Sequence, residues 1–385
     1  MLRFLTAGES HGPELVVIVE GLPAGVEVDS EAIDADLVRR QGGYGRGARS
    51  TKIERDHAEI VSGVHTGRST GAPIAIRIEN KDFANQPANP APLTAPRPGH
   101  ADLAGAIKYG HDDYRIVRER ASARETAARV AAGAVGKALM HPFGARVGSF
   151  VLQTGDIVAT IPEIDQLDAA ALERLAALAE TDPMRCPDPE ASTAMREAVD
   201  TAREAGETLG GVVCVFAVGV PPGLGSFVHW DRKLDGKLAQ AVASIHAIKG
   251  MEIGPAFSLA GRPGTEAQDP IVADGSGVTR TANRAGGLEA GVTNGMPVVI
   301  RAAMKPLSSV RAEIASIDFE TGEPANPGHV RSDVTAVPAA AVVAEAMVAW
   351  VLADALCERF GQDRLDAMLE AARAVATAGR PRSRP

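Results

Sequence analysis

Apolar runs separated by glycine-rich turns dominate the first 80 residues of the chain. Their alternating or continuous hydrophobic patterns predict four strands, at residues 2–7, 15–20, 58–64 and 72–79. Between the second and third runs, apolar side chains recur at helical spacing after Asp29 and Ser30, both good capping residues. We therefore predict a helix that begins there and ends near Arg40.

Helical periodicity and apolar runs alternate through the rest of the chain. They predict helices at residues 102–108, 123–140, 167–179, 190–204, 233–248 and 365–376, and strands at residues 147–153, 210–220 and 297–303. The segment RSDVTAVP introduces a further, long helix rich in Ala and Val. The charged helices at 167–179 and 190–204 are predicted to form an outer layer. Proline and asparagine in residues 81–98 indicate a long loop.

The composition indicates a globular protein with a small anionic ligand. At 385 residues, 45% hydrophobic and 23% charged, the chain can bury a sizeable core. No repeat or clear linker divides it, so the pattern predicts one intertwined α/β domain over residues 1–378 and a disordered tail at 379–385. The net charge of −9 disfavours nucleic acid and anionic membranes as main partners, and local arginine clusters point to a small anion.

Cysteine usage and hydropathy indicate a reducing, cytoplasmic environment. Cys186, Cys214 and Cys357 are far apart, so neither a zinc ribbon nor a disulfide framework is expected, and no metal site is predicted. The start MLRFLTAGESHG lacks the basic and apolar regions of a secretion signal. The longest apolar run contains Glu345 and Asp354, and charges at bilayer depth are costly, so no membrane span is expected.

The turn GESHG at residues 8–12 matches the G-x-S-x-G pattern of a hydrolase nucleophile elbow. That elbow requires a strand before the serine, a helix after it and an oxyanion loop earlier in the chain. Only seven residues precede this turn, and a β-branched apolar run follows it. We therefore favour a hairpin turn that carries Ser10 and His11, with a serine hydrolase as the less favoured alternative.

Arginines surround the glycine-rich loop that follows the first helix. GGYGRG has some likeness to a dinucleotide fingerprint, but its glycine spacing is wrong and a helix rather than a strand precedes it. Arg40, Arg46 and Arg49 are candidates for a lid whose guanidinium groups bind phosphate or carboxylate oxygens in pairs. A loop without a ligand is the alternative.

Polar groups also cluster between residues 97 and 133. His100 follows a Pro-Gly turn at the start of a predicted helix. Arg120, Ser122 and Arg124 stand at a second helix entrance, where backbone N–H groups and guanidinium donors suit a phosphate. Ordinary capping by Ser122, with Glu125 three residues later, fits the same residues.

Two later segments add further polar groups. KPLSS at residues 305–309 sets a cation beside hydroxyl groups after a strand, and RSDVTAVP sets Arg331 two residues from Asp333 before a helix. Singly, each segment fits solvated structure better than a site. Together with the earlier clusters they supply cations, imidazoles and a carboxylate without metal spacing, which suits acid–base chemistry on a multiply anionic substrate.

Taken in order, these motifs resemble those of the chorismate synthase family. The segments that carry the resemblance are GESHG, RRQGGYGRGARS, RPGHAD, RASARETAARVAAGA, SIHAIKGMEIG, KPLSS and RSDVTAVPAA, and they extend over nearly the whole chain. The resemblance implies an α+β fold, a single-domain β-α-β sandwich with helices packed between antiparallel sheets. It also implies a homotetramer.

The same resemblance implies a lyase at the end of the shikimate pathway to the aromatic amino acids. Such an enzyme converts 5-enolpyruvylshikimate 3-phosphate to chorismate and phosphate by a 1,4-anti elimination, and it requires reduced FMN without net redox change. NADPH is a candidate reductant of the flavin, and an external flavin reductase is the alternative that the sequence leaves open.

The matched motifs also imply roles for individual residues. His11 would assist phosphate departure, His100 would manage protonation near the flavin, and Asp333 would act with flavin N5 in removing the substrate proton. The residues expected at the FMN site are Arg120, Ala121, Ser122, His246, Ala247, Ala290, Lys305, Pro306, Leu307, Ser308, Ser309 and Arg331. Those expected to hold substrate or NADPH are Arg40, Arg46, Arg49 and Arg124. Ala290 replaces a frequent glycine and His246 a frequent glutamine, so the methyl group must be accommodated and the imidazole's role stays open.

Overall fold

The N-terminal apolar runs form a four-stranded antiparallel sheet. The computed structural model describes residues 1–47, 56–87, 90–273, 278–327 and 333–376. Its first sheet consists of β1 (Arg3–Gly8), β2 (Glu14–Glu20), β3 (Ala58–Ser62) and β4 (Ile74–Glu79), in the order β1-β2-β4-β3. The register partners Val17 and Ile76 are fully buried, whereas Ile18 is 38% exposed. One face therefore belongs to the core, and the four predicted strands are confirmed to within a few residues.

The second sheet has five antiparallel strands from the middle and later parts of the chain. They are β5 (Arg146–Thr154), β6 (Ile157–Val158), β7 (Gly211–Val218), β8 (Ile248–Ile253) and β9 (Val298–Met304), in the order β8-β9-β7-β5-β6. Short hairpins lie outside both sheets, at Val64–His65 with Arg68–Ser69, Ile271–Ala273 with Val278–Arg280, Leu288–Glu289 with Val292–Thr293, and Ser316–Ile317 with Pro324–Ala325.

Helices connect and separate the sheets. They are α1 (Ser30–Gln41), α2 (Asp102–Tyr109), α3 (Tyr114–Arg120), α4 (Thr126–Met140), α5 (Ala169–Glu180), α6 (Pro189–Ala205), α7 (Leu234–Ala243), α8 (Ala256–Leu259), α9 (Gly264–Ala267), α10 (Val337–Phe360) and α11 (Leu365–Ala376). Aspartate caps begin several of them. The Asp29 carboxylate accepts the N–H of Glu31 at 3.1 Å, as predicted for the start of α1.

The helices α4 and α10 lie between the two sheets. α4 packs against the first sheet, and α10 packs against β5 and β7 of the second. A Cβ built on Gly133 of α4 would lie 2.3 Å from that of Ala346 of α10, so small residues let the two backbones approach closely. This arrangement confirms the expected α+β fold with helices between antiparallel sheets.

Helix α5 covers the outer face of the second sheet. Phe150 of β5 and Phe216 of β7 pack with Leu172 of α5 in an apolar cluster separate from the main core. The prediction that residues 167–179 form an outer layer is thereby confirmed.

Helix α10 is long and apolar enough to cross a membrane, but it is the central helix of the core. Over its 18-residue apolar window the mean hydropathy is 1.9, and 94% of the window is buried inside the fold. No other helix in the described parts of the chain meets the same criterion. The apolar surface of α10 is therefore used in packing against protein.

Glu345 places a carboxylate in the middle of α10 and joins four elements. It is paired with Arg39 Nη2 of α1 at 2.8 Å and Lys137 Nζ of α4 at 3.0 Å, and it accepts the Ser149 hydroxyl of β5 at 2.6 Å. Burial alone would raise the pKa of Glu345, but Lys137 and Arg39 outweigh it and hold that pKa well below its usual range. The ionised carboxylate fixes α1 against the core, and with it the start of the loop after Gln41.

The predicted helix at residues 233–248 is wrong in its last five residues. α7 ends at Ala243, so Ser244 and His246 lie beyond it, and β8 begins at Ile248. Ala247 has a φ of +64°, a left-handed conformation that an α-helix does not contain. The short, charged helix α3 is also absent from the sequence prediction, because its apolar residues are too few to show helical periodicity.

Candidate active site

The turn between β1 and β2 presents His11. Gly8 has a φ of +106°, and a Cβ there would lie 2.4 Å from the carbonyl oxygen of Glu14, so only glycine fits. The Asn80 side chain donates to the Gly12 carbonyl at 2.7 Å and fixes the turn. The strand β2 follows, so the strand–turn–helix context of a nucleophile elbow is not met.

The His11 ring is held by Glu119 of α3. Nδ1 lies 2.7 Å from Oε1, and the backbone N–H of His11 donates to Oε2 at 2.7 Å. Burial alone would raise the pKa of Glu119, but the hydrogen bonds from His11 outweigh it, so the pKa is lowered. The carboxylate is therefore ionised at neutral pH.

His100 is bonded to Asp102, the first residue of α2. Nδ1 of His100 lies 2.5 Å from Oδ1, while Arg97 Nε and Arg118 Nε reach Oδ2 at 3.0 and 2.8 Å. Asp102 is fully buried. Burial alone would raise its pKa, but hydrogen bonds from His100 and Arg97 outweigh it and hold the pKa well below its usual range.

Helix α3 links the two histidines. Its Glu119 holds His11, and the preceding Arg118 holds Asp102, the partner of His100. Two imidazoles that are 89 positions apart in sequence (11 and 100) are thus attached to one short helix.

The loop that carries His100 lies against the KPLSS segment. Arg97 Nη1 donates to Ser309 Oγ at 3.1 Å, and Lys305 Nζ donates to the carbonyl of Gly99 at 3.0 Å. The N–H of Lys305 donates to the Ala247 carbonyl at 2.9 Å. The structure therefore brings His100 to Lys305 and Ser309, and Ala247 to the same segment.

The rest of the KPLSS segment is anchored to the chain that precedes α10. The Leu307 carbonyl accepts the Thr208 hydroxyl at 2.7 Å, and Ser308 Cβ lies 3.5 Å from the Cβ position of Gly99. The N–H of Leu209 donates to the Val334 carbonyl at 2.9 Å. These contacts place Pro306 to Ser308 between the His100 loop and the segment that begins at Asp333.

Arg120, at the end of α3, is tied to β1. It donates to the Thr6 carbonyl at 2.9 Å and to the Thr6 hydroxyl at 2.7 Å. The same hydroxyl donates to Glu125 at 2.8 Å, and Arg129 donates to the other Glu125 oxygen at 2.9 Å. Arg120 remains 49% exposed along its side chain, so it is accessible to a ligand.

Ser122 caps the 3₁₀ turn Ala123–Glu125 that leads into α4. Its hydroxyl accepts the N–H of Arg124 at 3.3 Å, as the capping interpretation of Ser122 predicts, whereas the Glu125 carboxylate binds Thr6 and Arg129. Ala121 lies beside it, at the C-terminal end of α3.

His246 lies among charged groups just beyond α7. Its Nδ1 is buried and has no hydrogen-bond partner among the described residues. Burial lowers the pKa of His246 to about 4, the positive charges of Arg129, His100 and Arg40 add to this, and Glu125 opposes it. These mutual effects show that His246, His100 and Arg40 share one region.

Arg40 and Arg124 are buried around one carboxylate. Arg124 Nη1 lies 2.5 Å from Asp56 Oδ2, and Arg40 Nη1 lies 3.7 Å from the same oxygen. Arg40 also donates to the Thr126 hydroxyl at 2.9 Å and to the Ala123 carbonyl at 3.2 Å. The two guanidinium groups are thus fixed at the entrance of α4.

Arg46 is bonded to Asp333. Its Nη1 lies 2.5 Å from Oδ2, and the N–H of Gly47 donates to Oδ1 at 2.6 Å. The N–H of Val334 donates to the Gly45 carbonyl at 2.8 Å, so the glycine-rich loop pairs with the segment before α10. Two other candidates, Arg49 and Arg331, lie outside the described residues.

Ala290 occupies the exposed turn of a hairpin. Ala290 and Gly291 both have positive φ, 52° and 90°, as a two-residue hairpin turn requires. The alanine methyl group is therefore accommodated in a left-handed conformation. The hairpin accepts a hydrogen bond from the N–H of Leu234 and pairs with Gly225.

A cleft of about 870 Å³ opens between the β1–β2 turn and the helices α2 and α3. Its walls are mainly apolar, and they include Arg120, Ala121 and Ala101, the neighbour of His100. Among the residues described, no group of three or more His, Cys, Asp or Glu side chains is arranged to hold a metal ion.

The carboxylates that orient the candidate residues are absent from the sequence prediction. Glu119, Asp56 and Glu125 are 108, 68 and 119 positions from the side chains of His11, Arg124 and Thr6 that they bind. Only Asp102, two positions after His100 in RPGHAD, offers a local signal for its role.

Comparisons with known proteins agree with this arrangement. Residues 2–357 match the family model of chorismate synthase. The chorismate synthase of Geobacillus thermodenitrificans is 50% identical over 96% of this chain and 97% of its own length. That of Symbiobacterium thermophilum is 52% identical with the same two coverages. That of Salinispora tropica is 53% identical over 94% of this chain and 95% of its own length. A crystal structure of chorismate synthase is similar with a TM-score of 0.81 and 42% identity, over 98% of both chains. The chain therefore belongs to the chorismate synthase family, whose members are lyases of the shikimate pathway to the aromatic amino acids.

Proposed function

We propose that the chain converts 5-enolpyruvylshikimate 3-phosphate to chorismate and phosphate by a 1,4-anti elimination with reduced FMN. One observation carries the proposal: helix α3 connects two carboxylate-bound imidazoles, because its Glu119 holds His11 and its Arg118 binds Asp102, the partner of His100. Arg40 and Arg124 lie against Asp56 at the entrance of α4, which follows α3 in the chain. Guanidinium groups fixed beside two imidazoles suit a substrate with a phosphate and two carboxylates.

Substrate binding is assigned to the arginines at the entrance of α4 and on the glycine-rich loop. Arg40 and Arg124 are held by backbone and side-chain oxygens before any ligand arrives, so little conformational entropy is lost on binding. Arg46 is bonded to Asp333, which brings the glycine-rich loop to the segment before α10, and the substrate is assigned to the space beside this pair.

The residues present fit a flavin. The cleft offers a mainly apolar space next to Arg120, and the buried, unpartnered Nδ1 of His246 is a polar atom of the kind that a bound cofactor satisfies. The groups that would hold FMN are Arg120, Ala121, Ser122, His246, Ala247 and Lys305 to Ser309. Reduced FMN would supply electron density to the allylic system as phosphate leaves.

Proton handling is assigned to three side chains. His11 assists departure of the phosphate by proton donation or a hydrogen bond. Asp333 acts together with the flavin in removing the proton from the ring carbon. His100 controls protonation beside the cofactor, with its Nδ1 fixed by Asp102. Arg46 compensates the charge of Asp333 before the substrate binds.

Anaerobic turnover tests this proposal. The protein is supplied with the enolpyruvyl substrate and photoreduced FMN, and phosphate and chorismate are measured together. We expect stoichiometric formation of both, and no product with oxidised FMN. A folded protein that forms neither product under reducing conditions would refute the proposal.

The same assay separates two sources of reducing equivalents. Turnover in the dark with NADPH and oxidised FMN would show that the chain reduces its own flavin, whereas dependence on an added flavin reductase would show the opposite. We also propose a cytoplasmic homotetramer, in keeping with the family, which light scattering of the purified protein and fractionation of cells would test.

A further inference from the structure

Glu119 holds His11 at two points. Its Oε1 lies 2.7 Å from the ring Nδ1, and its Oε2 accepts the backbone N–H of the same histidine at 2.7 Å. A third bond, from the Ser10 N–H to the Glu119 carbonyl at 3.1 Å, ties the turn to α3. The ring and the main chain of His11 are thus oriented by one carboxylate.

This geometry decides which ring nitrogen exchanges protons. An ionised carboxylate accepts hydrogen bonds and donates none, so Nδ1 of His11 carries its proton toward Oε1 in the neutral and in the charged ring. In the neutral ring the lone pair then lies on Nε2. The His11 side chain is 42% exposed, so a ligand can reach the ring edge.

We propose that Glu119 is a positioning residue that fixes the orientation and the Nδ1–H tautomer of His11, which makes Nε2 the proton-exchanging nitrogen. The part of His11 in the elimination rests on the proposed function; its tautomer does not. Glu119 itself touches neither substrate nor cofactor in this assignment.

Glu119 can be tested more cleanly than the corresponding partner of His100. Asp102 is fully buried and also binds Arg97 and Arg118, so its substitution disturbs several charges at once. The Glu119 side chain is 13% exposed, and both hydrogen bonds recorded for its carboxylate within the described chain go to His11.

The substitution Glu119→Gln makes a specific prediction. A glutamine side chain has one acceptor oxygen and one NH₂ donor. If the oxygen accepts the backbone N–H of His11, the NH₂ group faces Nδ1, which must then be an acceptor. The neutral ring is thereby driven to the Nε2–H tautomer, with its lone pair turned away from the substrate. Glu119→Asp keeps two acceptors and is the conservative variant.

Nitrogen-15 NMR of histidine-labelled protein measures the tautomer directly. The His11 signals are assigned from their loss in His11→Gln, and spectra are recorded above the titration range of the ring. We expect the Nδ1–H form in the wild type and in Glu119→Asp, and the Nε2–H form in Glu119→Gln. A wild-type ring in the Nε2–H form, or an unchanged tautomer in Glu119→Gln, would overturn the inference.

Kinetics under the anaerobic conditions above test the consequence. We expect Glu119→Gln to lower kcat by about 10²-fold with KM within about threefold, because acid–base assistance is lost and binding is kept. Glu119→Asp should recover most of that loss. Glu190→Gln, an exposed carboxylate in the first turn of α6, is the matched control for charge and should keep wild-type kcat.

Failure of the proposed function and failure of the positioning role of Glu119 give different results. If the wild type does not turn over the substrate, the proposed function fails while the NMR result still stands. If the wild type is active and Glu119→Gln retains its kcat despite an inverted tautomer, the positioning role is wrong. Thermal unfolding of each variant shows that these comparisons are made on folded protein.

Discussion

Gly133 of α4 lies so close to Ala346 of α10 that a Cβ on the glycine would stand 2.3 Å from the alanine Cβ and 2.4 Å from its Cα. We expect Gly133→Ala to destabilise the protein by about 3 kcal/mol or more, because the two helix backbones must separate. This outweighs the gain of about 1 kcal/mol in helix propensity. Urea unfolding measures the difference.

Gly136, one turn along α4, is the matched control for that experiment. A Cβ at Gly136 would meet the backbone of Ala349 and Trp350 at 3.3 Å, which a small shift relieves. Gly136→Ala should therefore change stability by less than about 1 kcal/mol. Equal effects of the two substitutions would contradict the assigned contact.

Asp102 is expected to make stability depend on acid pH. Its pKa is lower in the folded protein than the unfolded value of about 3.9, so it stabilises the fold above pH ~4, and this stabilisation is lost as pH falls toward the folded pKa. We expect Asp102→Asn to cost about 3 kcal/mol or more at neutral pH, because Arg97 and Arg118 lose their buried anion. The substitution should also reduce the dependence of the unfolding free energy on pH between pH 2 and pH 5, which urea unfolding measures.

His246 is expected to add a second pH dependence at higher pH. Its pKa in the folded protein is about 4, below the unfolded value of about 6.5. Between these two pH values the unfolded chain binds a proton at His246 and the folded protein does not. The free energy of unfolding therefore falls as pH drops from 6.5 to 4. At pH 5 the loss amounts to about 2 kcal/mol relative to pH 7.

The variant His246→Gln removes this titration. The difference in unfolding free energy between pH 7 and pH 5 should shrink by about that amount, whereas His65→Gln, on an exposed hairpin, should leave it unchanged. A pH profile that is the same in His246→Gln and the wild type would show that the ring is not buried in its neutral form.

Asp333 is expected to be needed for turnover rather than for folding. Its side chain is 19% exposed and bonded to Arg46, so Asp333→Asn preserves volume but removes the carboxylate that is assigned to assist proton removal. We expect kcat to fall by about 10²-fold or more with a small change in melting temperature. Asp156→Asn, in the exposed turn between β5 and β6, serves as the control. Unchanged kcat in Asp333→Asn would remove this residue from the proposed mechanism.

The sequence predicted those features that depend on neighbours in the chain. Alternating residues such as Val17 and Ile18 report which face of a strand is buried, and the strands of the two sheets were predicted from hydrophobic patterns except for β6 and β8. The end of α7 at Ala243 was missed because the residues that follow it continue a pattern that looks helical, although Ala247 is left-handed. Hydrophobic periodicity carries no signal for such a residue.

For the candidate site, too, the sequence predicted what depends on local motifs and missed what depends on distant partners. Histidines and arginines stand out by type and motif, but what orients them depends on distant residues. The contact between His11 and Glu119 arises only when α3 folds against the β1–β2 turn, and the single charge shared by Arg40 and Arg124 arises only when β3 brings Asp56 to α4. No local pattern encodes these pairings, because both partners also occur as ordinary surface charges.

The position of α10 in the chain has a consequence for biosynthesis. The two sheets and α4 are translated before it, yet the inner face of the second sheet and the side of α4 that faces it are buried only when this helix, which begins at Val337, has been inserted. Until then the ribosome-bound chain exposes apolar strands with no partner, the condition under which chains aggregate and chaperones bind. The final core therefore forms in a late step dominated by long-range contacts, and truncation before α10 yields a chain that cannot complete its core.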